Sequence, residues 1–357
     1  MKNNKPAIIS FHINSATGIG GLETLMQSFH KIAKTLKTTY VELFLRNDFG
    51  SFVKLDDSII SIPLSDPKSK YPKLRLQERR ADIENKLDIF GSGNIIILFN
   101  PYYLAFFKDK ILKQNKIILI QSNKIEILNF KSTIFNLKKH YIDLFTVYTK
   151  SDKEKLSQEV PHNKISIIPR GCKLETKTEP AIFSKKLVAI TRVREEQKNF
   201  SDMVKIVKKL PKEYSLDIYG TGRKEEIESL KQKIKNHPNI FFKGVTLDAK
   251  ETLRRYSVFI MTSHFEGFGQ TLIEARSQGL PVVLYDSFDA APWVVKDKKT
   301  GFLIEPYNID GFVESVRKLC ENKELFLKFS KNSLNYAFET DSSQIEKMWT
   351  DVFSTLL

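Results

Sequence analysis

Apolar runs alternate with helix-like stretches along the whole chain. In the first half the apolar runs are continuous, and they predict strands at residues 7–13, 40–45, 59–62, 95–99, 117–120, 144–148 and 165–168. Continuous runs of this kind are typical of strands that are covered on both faces of a parallel sheet. After the first run, apolar positions between Leu22 and Leu36 recur at helical spacing. The pattern predicts a domain in which strands and helices alternate.

The second half repeats this alternation. Strands are predicted at 187–191, 215–219, 240–242, 258–262 and 281–285, and helices at 202–210, 224–235, 249–256 and 271–278. Residues 333–357 have a helical pattern, and the polar segment 171–185 is predicted to be an interdomain linker. Repeated βαβ units predict a doubly wound sheet in each half.

The length and composition allow two globular domains. A chain of 357 residues has room for two domains of roughly 150–180 residues each. No apolar run reaches the roughly 18 residues of a membrane-spanning helix, and residues 7–13 are too few and too polar for a signal peptide. Cys172 and Cys320 form no CxxC pair and fit a reducing compartment. We therefore expect a cytoplasmic protein.

The net charge of +15 is concentrated in the first half of the chain. Residues 1–150 carry 23 Lys and Arg against 13 Asp and Glu. The excess includes Lys68, Lys70, Lys73, Arg75, Arg79, Arg80 and the segment 108–139. A solvated basic surface explains this excess, and so does attraction to anionic lipid headgroups or to a phosphate-bearing acceptor. Nucleic-acid binding is disfavoured, because no recognisable nucleic-acid-binding module accompanies the charge.

A glycine-containing loop follows the predicted strand 258–262 and leads into a helix that begins near Gln270. Glycines let backbone N–H groups approach a ligand, and the amino terminus of a helix attracts an anion. Glu266 in the loop and Glu274 one turn inside the helix can each accept hydrogen bonds from hydroxyls. A phosphate between two hydroxylated groups is the shape of a nucleotide sugar. On spacing alone, an ordinary strand–helix connection with two surface glutamates remains open.

Two cations follow the predicted strand 187–191. Arg192 comes directly after the strand, and Lys198 lies six residues further on. Cations at a strand end can neutralise a diphosphate leaving group as charge develops on it. Taken alone, such a pair is also typical of a solvated surface.

Glycine turns occur elsewhere, but none has the dinucleotide-binding spacing GxGxxG. The turn Gly18-Ile19-Gly20-Gly21 follows the first strand, and Glu23 stands where the last glycine of that motif would be. The turn 220–222 also fails, with Glu225 in the last position. Both mismatches argue against a nicotinamide-dependent dehydrogenase. A plain tight turn remains an alternative for the first of them.

The second half resembles glycosyltransferase family four, the retaining GT-B enzymes with an E-x7-E signature. Glu266 and Glu274 have the spacing of that signature, and Gly267-Phe268-Gly269 and the segment 279–283 match its surroundings. The resemblance implies that Glu266 contacts the donor sugar and that Glu274 binds the ribose hydroxyls. It also implies that Arg192 and Lys198 bind the diphosphate, making Glu266, Arg192 and Lys198 the expected catalytic residues. Thr191 departs from the family, where glycine is usual.

The resemblance implies an α/β fold of the GT-B class, with two Rossmann-like, doubly wound domains facing across a cleft. The expected domains are an acceptor domain at 1–172, a donor domain at 173–335 and a helix at 336–357 that returns to the first domain. The expected donor-binding residues are Gly20, Gly21, Val245, Gly267, Phe268, Gly269, Gln270 and Glu274.

The acceptor side is less well defined. Family members often have a histidine after the strand that matches 117–120, where this chain has Gln121 and Asn123. These two residues are the expected acceptor contacts, although the departure leaves the activation of the acceptor open. His264, beside Glu266, has either a catalytic or a structural role.

The resemblance implies a retaining glycosyltransferase that moves a sugar from a nucleotide diphosphate sugar, with UDP the expected nucleotide. The acceptor is expected to be a hydroxyl on a cell-surface glycan or a lipid-linked saccharide. With no D-x-D pair in the sequence, we expect no metal and no cofactor. A basic first domain predicts peripheral binding to an anionic membrane, and no nucleic-acid partner is expected. The alternatives are a phosphorylase-like enzyme and a non-catalytic, glycan- or partner-binding relative.

Overall fold

The computed structural model describes residues 5–18, 20–46, 54–128 and 132–357, without the side chains of residues 127 and 128. The chain divides into two compact units. The first is Met1–Gly171 with Ser343–Leu357, and the second is Cys172–Ser342. The break therefore falls at 171/172, against the expected 172/173, and the second unit extends seven residues beyond the expected 335.

The first unit contains a parallel sheet in the order β3-β2-β1-β4-β5-β6-β7. Its strands are β1 (Ile8–Asn14), β2 (Tyr40–Arg46), β3 (Ile60–Pro63), β4 (Ile95–Leu98), β5 (Lys116–Ile120), β6 (Ile142–Val147) and β7 (Ile165–Ile167). Its helices are α1 (Gly21–Thr35), α2 (Pro72–Leu87), α3 (Asp109–Gln114), α4 (Thr133–Lys138) and α5 (Lys150–Leu156). All four side chains of β4 are buried, as the continuous apolar run predicts.

The second unit contains a second parallel sheet, in the order β10-β9-β8-β11-β12-β13. Its strands are β8 (Lys186–Ile190), β9 (Ser215–Tyr219), β10 (Ile240–Gly244), β11 (Val258–Met261), β12 (Val282–Tyr285) and β13 (Gly301–Ile304). Its helices are α6 (Glu195–Lys198), α7 (Phe200–Lys209), α8 (Lys224–Ile234), α9 (Ala249–Leu253), α10 (Gln270–Ser277), α11 (Ala291–Val294), α12 (Ile309–Glu321) and α13 (Lys323–Tyr336).

The predicted strands are confirmed, with ends that differ by no more than two residues. Strand β13 was not predicted. The helix predicted at 249–256 ends early, at Leu253. The segment predicted as a linker, 171–185, has no helix or strand. Its residues 172–185 belong to the second unit, where the Ala181 amide donates to Ser330 Oγ at 2.8 Å.

The carboxy-terminal end contains two helices, and the helix expected at 336–357 begins six residues later, at Ser342. Helix α13 ends at Tyr336, a 3-10 turn follows, and α14 (Ser342–Leu356) completes the chain. Arg276 holds the turn in the second unit by donating to Thr340 Oγ1 at 2.8 Å. Helix α14 packs in the first unit, where the Trp349 ring lies 4.8 Å from Phe29.

Candidate active site

Each sheet reverses its strand order at one point. In the second unit the reversal lies between the neighbouring strands β8 and β11. The carboxyl ends of parallel strands at such a switch point form the crevice where ligands bind in doubly wound folds. Two loops leave the sheet there, 191–194 after β8 and 262–269 after β11. They carry five of the predicted site residues: Arg192, Glu266, Gly267, Phe268 and Gly269.

The β8 loop ends in a rigid turn. Helix α6 is one turn long and finishes at Lys198, and Asn199 then adopts a left-handed conformation with φ of 51°. The Asn199 side chain caps α7 by accepting from the Asp202 amide at 3.2 Å. Thr262, at the end of β11, donates its hydroxyl to the carbonyls of Lys198 and Asn199 at 3.1 and 2.9 Å. These hydrogen bonds connect the start of the β11 loop to the end of α6, at Lys198 and Asn199.

Lys198 and Glu266 form an ion pair within this site. The Lys198 ammonium donates to Glu266 Oε1, and the two side chains are only 11% and 10% exposed. Ser263 Oγ donates to the same oxygen at 2.7 Å, while Gln197 Nε2 approaches Glu266 Oε2 at 3.4 Å. Glu266 is thus fixed in one orientation. Lys198 was predicted at the donor phosphates, whereas the structure places its ammonium on the Glu266 carboxylate.

Ser263 and Gln197 were not predicted as site residues. Ser263 directly precedes the loop motif, and Gln197 directly precedes Lys198. The Gln197 carbonyl also accepts from the His264 amide at 2.8 Å, which adds a backbone tie between the loops. Their adjacency to predicted site residues was the only signal in the sequence.

Helix α10 begins at the far end of the β11 loop. Its N-cap residue, Gly269, has φ of 86°, and a Cβ at this position would lie 2.6 Å from Leu272 Cδ1. Only glycine fits both conditions without strain. Because glycine has no side chain to cap the helix, the first N–H groups of α10 can be used by an anion.

Glu274 lies one turn inside α10, half-buried. Burial raises the pKa of its carboxyl to about 7, against the opposing effects of the Gln270 amide and the Lys173 charge. Gln270 Nε2 lies 3.5 Å from Glu274 Oε1. At neutral pH this carboxyl therefore exchanges between its acid and its hydrogen-bond-accepting ionised form.

The other predicted donor contacts differ in exposure. Arg192 is exposed, directly after β8, and Val245 is half-buried, directly after β10. The Phe268 ring is buried against Trp293 with centroids 5.5 Å apart, so its backbone rather than its ring is available to a ligand. The Thr191 hydroxyl is buried and finds no hydrogen-bond partner among the described residues.

The glycine turn of the first unit lies at the carboxyl end of β1, beside the switch point between β1 and β4. Gly20 is the N-cap residue of α1, and the Glu23 side chain folds back over Gly18 and Gly20. Ile19 lies outside the described residues. The buried Arg170, which was not predicted as a site residue, donates to the Gly21 carbonyl at 3.0 Å. Close packing of Glu23 thus accounts for glycine at 18 and 20.

The two predicted acceptor residues have different surroundings. Gln121 is 1% exposed, donates to Asp152 Oδ1 at 3.1 Å and accepts from the Tyr148 amide at 3.1 Å. A side chain bonded in this way ties the end of β5 to the segment after β6, so its amide is already engaged within the first unit. Asn123 is half-buried, and its side-chain oxygen accepts from the Lys124 amide at 2.8 Å.

Within the described ranges, no group of three or more His, Cys, Asp or Glu side chains is placed to hold a metal ion. In the same part of the chain, no helix is both long and apolar enough to span a bilayer.

Residues 175–336 match the family model of the glycosyl transferases group 1. The match lies within the second unit and includes Arg192, Lys198, Glu266 and Glu274.

Two curated bacterial proteins are similar to the chain over part of its length. The poly(glycerol-phosphate) alpha-glucosyltransferase of Bacillus subtilis (strain 168) is 33% identical over 179 residues, which are 48% of this chain and 26% of that protein.

The second relative is the poly(ribitol-phosphate) alpha-N-acetylglucosaminyltransferase of Staphylococcus aureus (strain COL). It is 28% identical over 156 residues, which are 43% of this chain and 32% of that protein. The chain thus spans a third or less of the length of these two relatives.

Among solved structures, the Anabaena protein Alr3699/HepE in complex with UDP and glucose is similar over both units. The TM-score is 0.79 at 16% identity, covering 97% of this chain and 99% of that chain. With two parallel Rossmann-like sheets, the fold is that of the GT-B glycosyltransferases, and the predicted α/β class with two doubly wound domains is confirmed.

Proposed function

We propose that the protein is a retaining glycosyltransferase that moves a hexose from a nucleotide diphosphate sugar to a hydroxyl of a bacterial cell-surface glycan or lipid-linked saccharide. The observation that carries the proposal is the placement of Glu266 in the loop after β11 and of Glu274 in the helix that follows this loop, at the switch point. Both lie inside the region that matches the glycosyl transferases group 1.

The donor is proposed to lie along this loop and helix. Glu274 accepts hydrogen bonds from the ribose hydroxyls, and the amino terminus of α10 with Arg192 binds the diphosphate. Glu266 accepts hydrogen bonds from the donor sugar, in the orientation that Lys198 and Ser263 impose. Val245 lies beside the base, with Gly267 and Gly269 giving the sugar and phosphates close access to the backbone.

The reaction exchanges one bond at the anomeric carbon for another. The bond from that carbon to the phosphate oxygen breaks, and the acceptor oxygen bonds to the same carbon on the same face. The acceptor proton passes to the departing phosphate oxygen, which leaves as the nucleoside diphosphate. Arg192 and the helix dipole stabilise the negative charge that develops on the leaving group. The structure offers no base for the acceptor at Gln121, and this route requires none.

UDP-glucose and UDP-N-acetylglucosamine are the donors we propose. One relative is a glucosyltransferase, another an N-acetylglucosaminyltransferase, and the similar Anabaena structure holds UDP and glucose. We also propose that turnover needs no divalent metal, because Arg192 and the α10 amino terminus supply the positive charge. A complete loss of turnover in EDTA, restored by Mn²⁺, would contradict the metal-independent part.

The acceptor is proposed to lie at an anionic surface. The segment 68–75 carries four cations, Lys68, Lys70, Lys73 and Arg75. All four are exposed, and beside them Tyr71 and Leu74 are 72% and 46% exposed. A cationic surface with protruding apolar groups is typical of peripheral attachment to the inner leaflet of a membrane. Co-sedimentation with vesicles containing phosphatidylglycerol at low salt tests this, and recovery of all protein in the supernatant would remove the membrane part.

A donor-hydrolysis screen tests the main proposal. The purified protein is incubated with UDP-, GDP- and ADP-sugars in EDTA, and the free nucleoside diphosphate is measured. We expect release from a UDP-hexose, with large losses in Arg192→Ala and Glu274→Ala. Arg194→Ala is the matched control, because Arg194 is exposed two residues away and pairs with Glu196 at 2.7 Å. If no donor is turned over or bound, with or without acceptor extracts, the protein is a non-catalytic relative.

A further inference from the structure

Tyr307 has a backbone conformation that an aromatic residue rarely adopts. It follows β13, three residues beyond Ile304, and its φ is +69°. Glycine occupies this left-handed region freely, whereas a bulky residue is strained there. Strain of this kind persists where the surrounding structure enforces it, and it is concentrated at functional sites. The side chain of Tyr307 is therefore a candidate for a role beyond folding.

The Tyr307 ring is fixed on one side and open on the other. Its hydroxyl hydrogen-bonds with His264 Nδ1 at 3.3 Å, and its centroid lies 5.7 Å from His264 and 6.3 Å from Tyr285. The side chain is nonetheless 65% exposed. An aromatic face that is hydrogen-bonded to His264 is thus presented to solvent beside the loop that carries Glu266.

The order of the strands in the second sheet indicates which part of a bound substrate would contact the Tyr307 ring. Val245 follows β10 at one edge of the sheet, and Tyr307 follows β13 at the opposite edge. Glu266 follows β11, between these edges. If the base lies at Val245 and the donor sugar at Glu266, Tyr307 is on the far side of the reacting carbon from the nucleotide. A group that contacts Tyr307 there belongs to the acceptor.

We propose that Tyr307 is an acceptor-subsite residue whose ring stacks on a pyranose unit of the acceptor glycan. This inference rests on the proposed function and identifies the acceptor as ring-containing. The C–H face of a pyranose is apolar and flat enough to cover an aromatic face, and burying both surfaces favours binding. The contact with His264 holds the Tyr307 ring in place, which reduces the entropy lost when the acceptor binds.

The test separates the ring from the strained backbone. Tyr307→Gly removes the ring and also relieves the strain, so the thermal midpoint is expected to equal or exceed that of the wild type. The ratio of transfer to donor hydrolysis is expected to fall about tenfold, as for the loss of one good aromatic contact. Tyr307→Phe keeps the ring and is expected to retain most of the transfer. Lys298→Gly is the matched control, because Lys298 is exposed in the same unit with φ of +56°.

The acceptors are methyl and p-nitrophenyl pyranosides, compared with glycerol-phosphate oligomers, which contain no ring. Saturation-transfer NMR measures pyranoside binding to wild type and to Tyr307→Gly, and requires no turnover. Pyranoside transfer and binding that depend on Tyr307 support the proposal. Equal transfer ratios and equal pyranoside binding in wild type and Tyr307→Gly, or acceptor activity confined to the ringless oligomers, would overturn it. Absence of donor turnover in the wild type would instead count against the proposed function.

Discussion

The ammonium of Lys198 and a carboxylate oxygen of Glu266 form an ion pair that is almost closed to solvent. The two residues are 68 positions apart, and Thr262 and Ser263 hold them together by hydrogen bonds to the Lys198 carbonyl and to the Glu266 carboxylate. A buried ion pair contributes little net stability, but removal of one partner leaves the other charge buried without compensation. Loss of either partner is therefore expected to destabilise the site and to release the side chain of the other partner.

Replacing Lys198 alone is expected to destabilise the second unit more than replacing Lys198 and Glu266 together. Lys198→Met should lower the free energy of unfolding by about 3 kcal/mol, because Glu266 is left as an unpaired buried charge. The double variant Lys198→Met/Glu266→Gln should regain most of that loss while losing donor turnover. Urea unfolding is followed by Trp293 fluorescence in a Trp349→Phe background, since Trp293 is the tryptophan of the second unit.

If the single variant is at least as stable as the double variant, the two charges do not stabilise each other. A single variant as stable as the background protein, or a double variant less stable than Lys198→Met, contradicts the prediction. Turnover retained by the double variant would contradict the role of Glu266 at the donor sugar.

UDP binding is expected to weaken as the pH falls from 8 to 6. Burial raises the pKa of Glu274 to about 7, so about nine-tenths of the carboxyl is ionised at pH 8 and about one-tenth at pH 6. The ionised form accepts hydrogen bonds from ribose, and the bound proton competes with the nucleotide. Calorimetry should therefore show a Kd for UDP about tenfold weaker at pH 6 than at pH 8.

Glu274→Gln is the control for this pH dependence. The variant keeps the shape of the side chain without its titration, so it reports the titration of the UDP phosphates alone. The expected tenfold effect is the change in Kd for the wild type between pH 8 and pH 6, divided by the change in Kd for this variant. Parallel pH profiles in the two proteins would show that Glu274 does not bind the nucleotide.

Most of the fold was predictable, because strands buried on both faces leave continuous apolar runs such as 95–99. Strand β13 was missed because it begins at Gly301, a residue that ordinarily weakens a strand. The break between α13 and α14 was missed for a different reason. Residues 337–341 contain neither proline nor glycine, and the contact between Arg276 and Thr340 ends the helical course there.

The candidate site was predictable only where its residues are close in sequence. The spacing of Glu266 and Glu274 places them on one loop and one helix, so local rules find them. The partner of Lys198 depends on how β8 and β11 pair, which no local pattern contains. The strain at Tyr307 is likewise invisible in the sequence, because it depends on the backbone between β13 and α12.

Gln121 is expected to stabilise the first unit rather than to contact the acceptor. Gln121→Ala removes two buried hydrogen bonds, one to the Asp152 carboxylate and one from the Tyr148 amide. The expected loss is about 2 kcal/mol in the free energy of unfolding. Urea unfolding is followed by Trp349 in a Trp293→Phe background. Asn123→Ala, two residues away on a half-buried side chain, should cost much less. A folded, equally stable Gln121→Ala protein with a raised KM for acceptor would restore the acceptor role.

The carboxy-terminal helix is expected to be part of the core of the first unit. Phe353 is fully buried, and its ring lies 5.2 Å from Phe29 and 5.5 Å from Trp349. Phe353→Ala opens a cavity between α14 and α1, so the free energy of unfolding should fall by about 3 kcal/mol. The measurement is again urea unfolding followed by Trp349 in the Trp293→Phe background. Met348→Ala, on the exposed side of the same helix, controls for helix propensity and should change stability by less than about 1 kcal/mol. Equal effects of the two substitutions would mean that α14 contributes to the first unit through its length alone, and not through this aromatic contact.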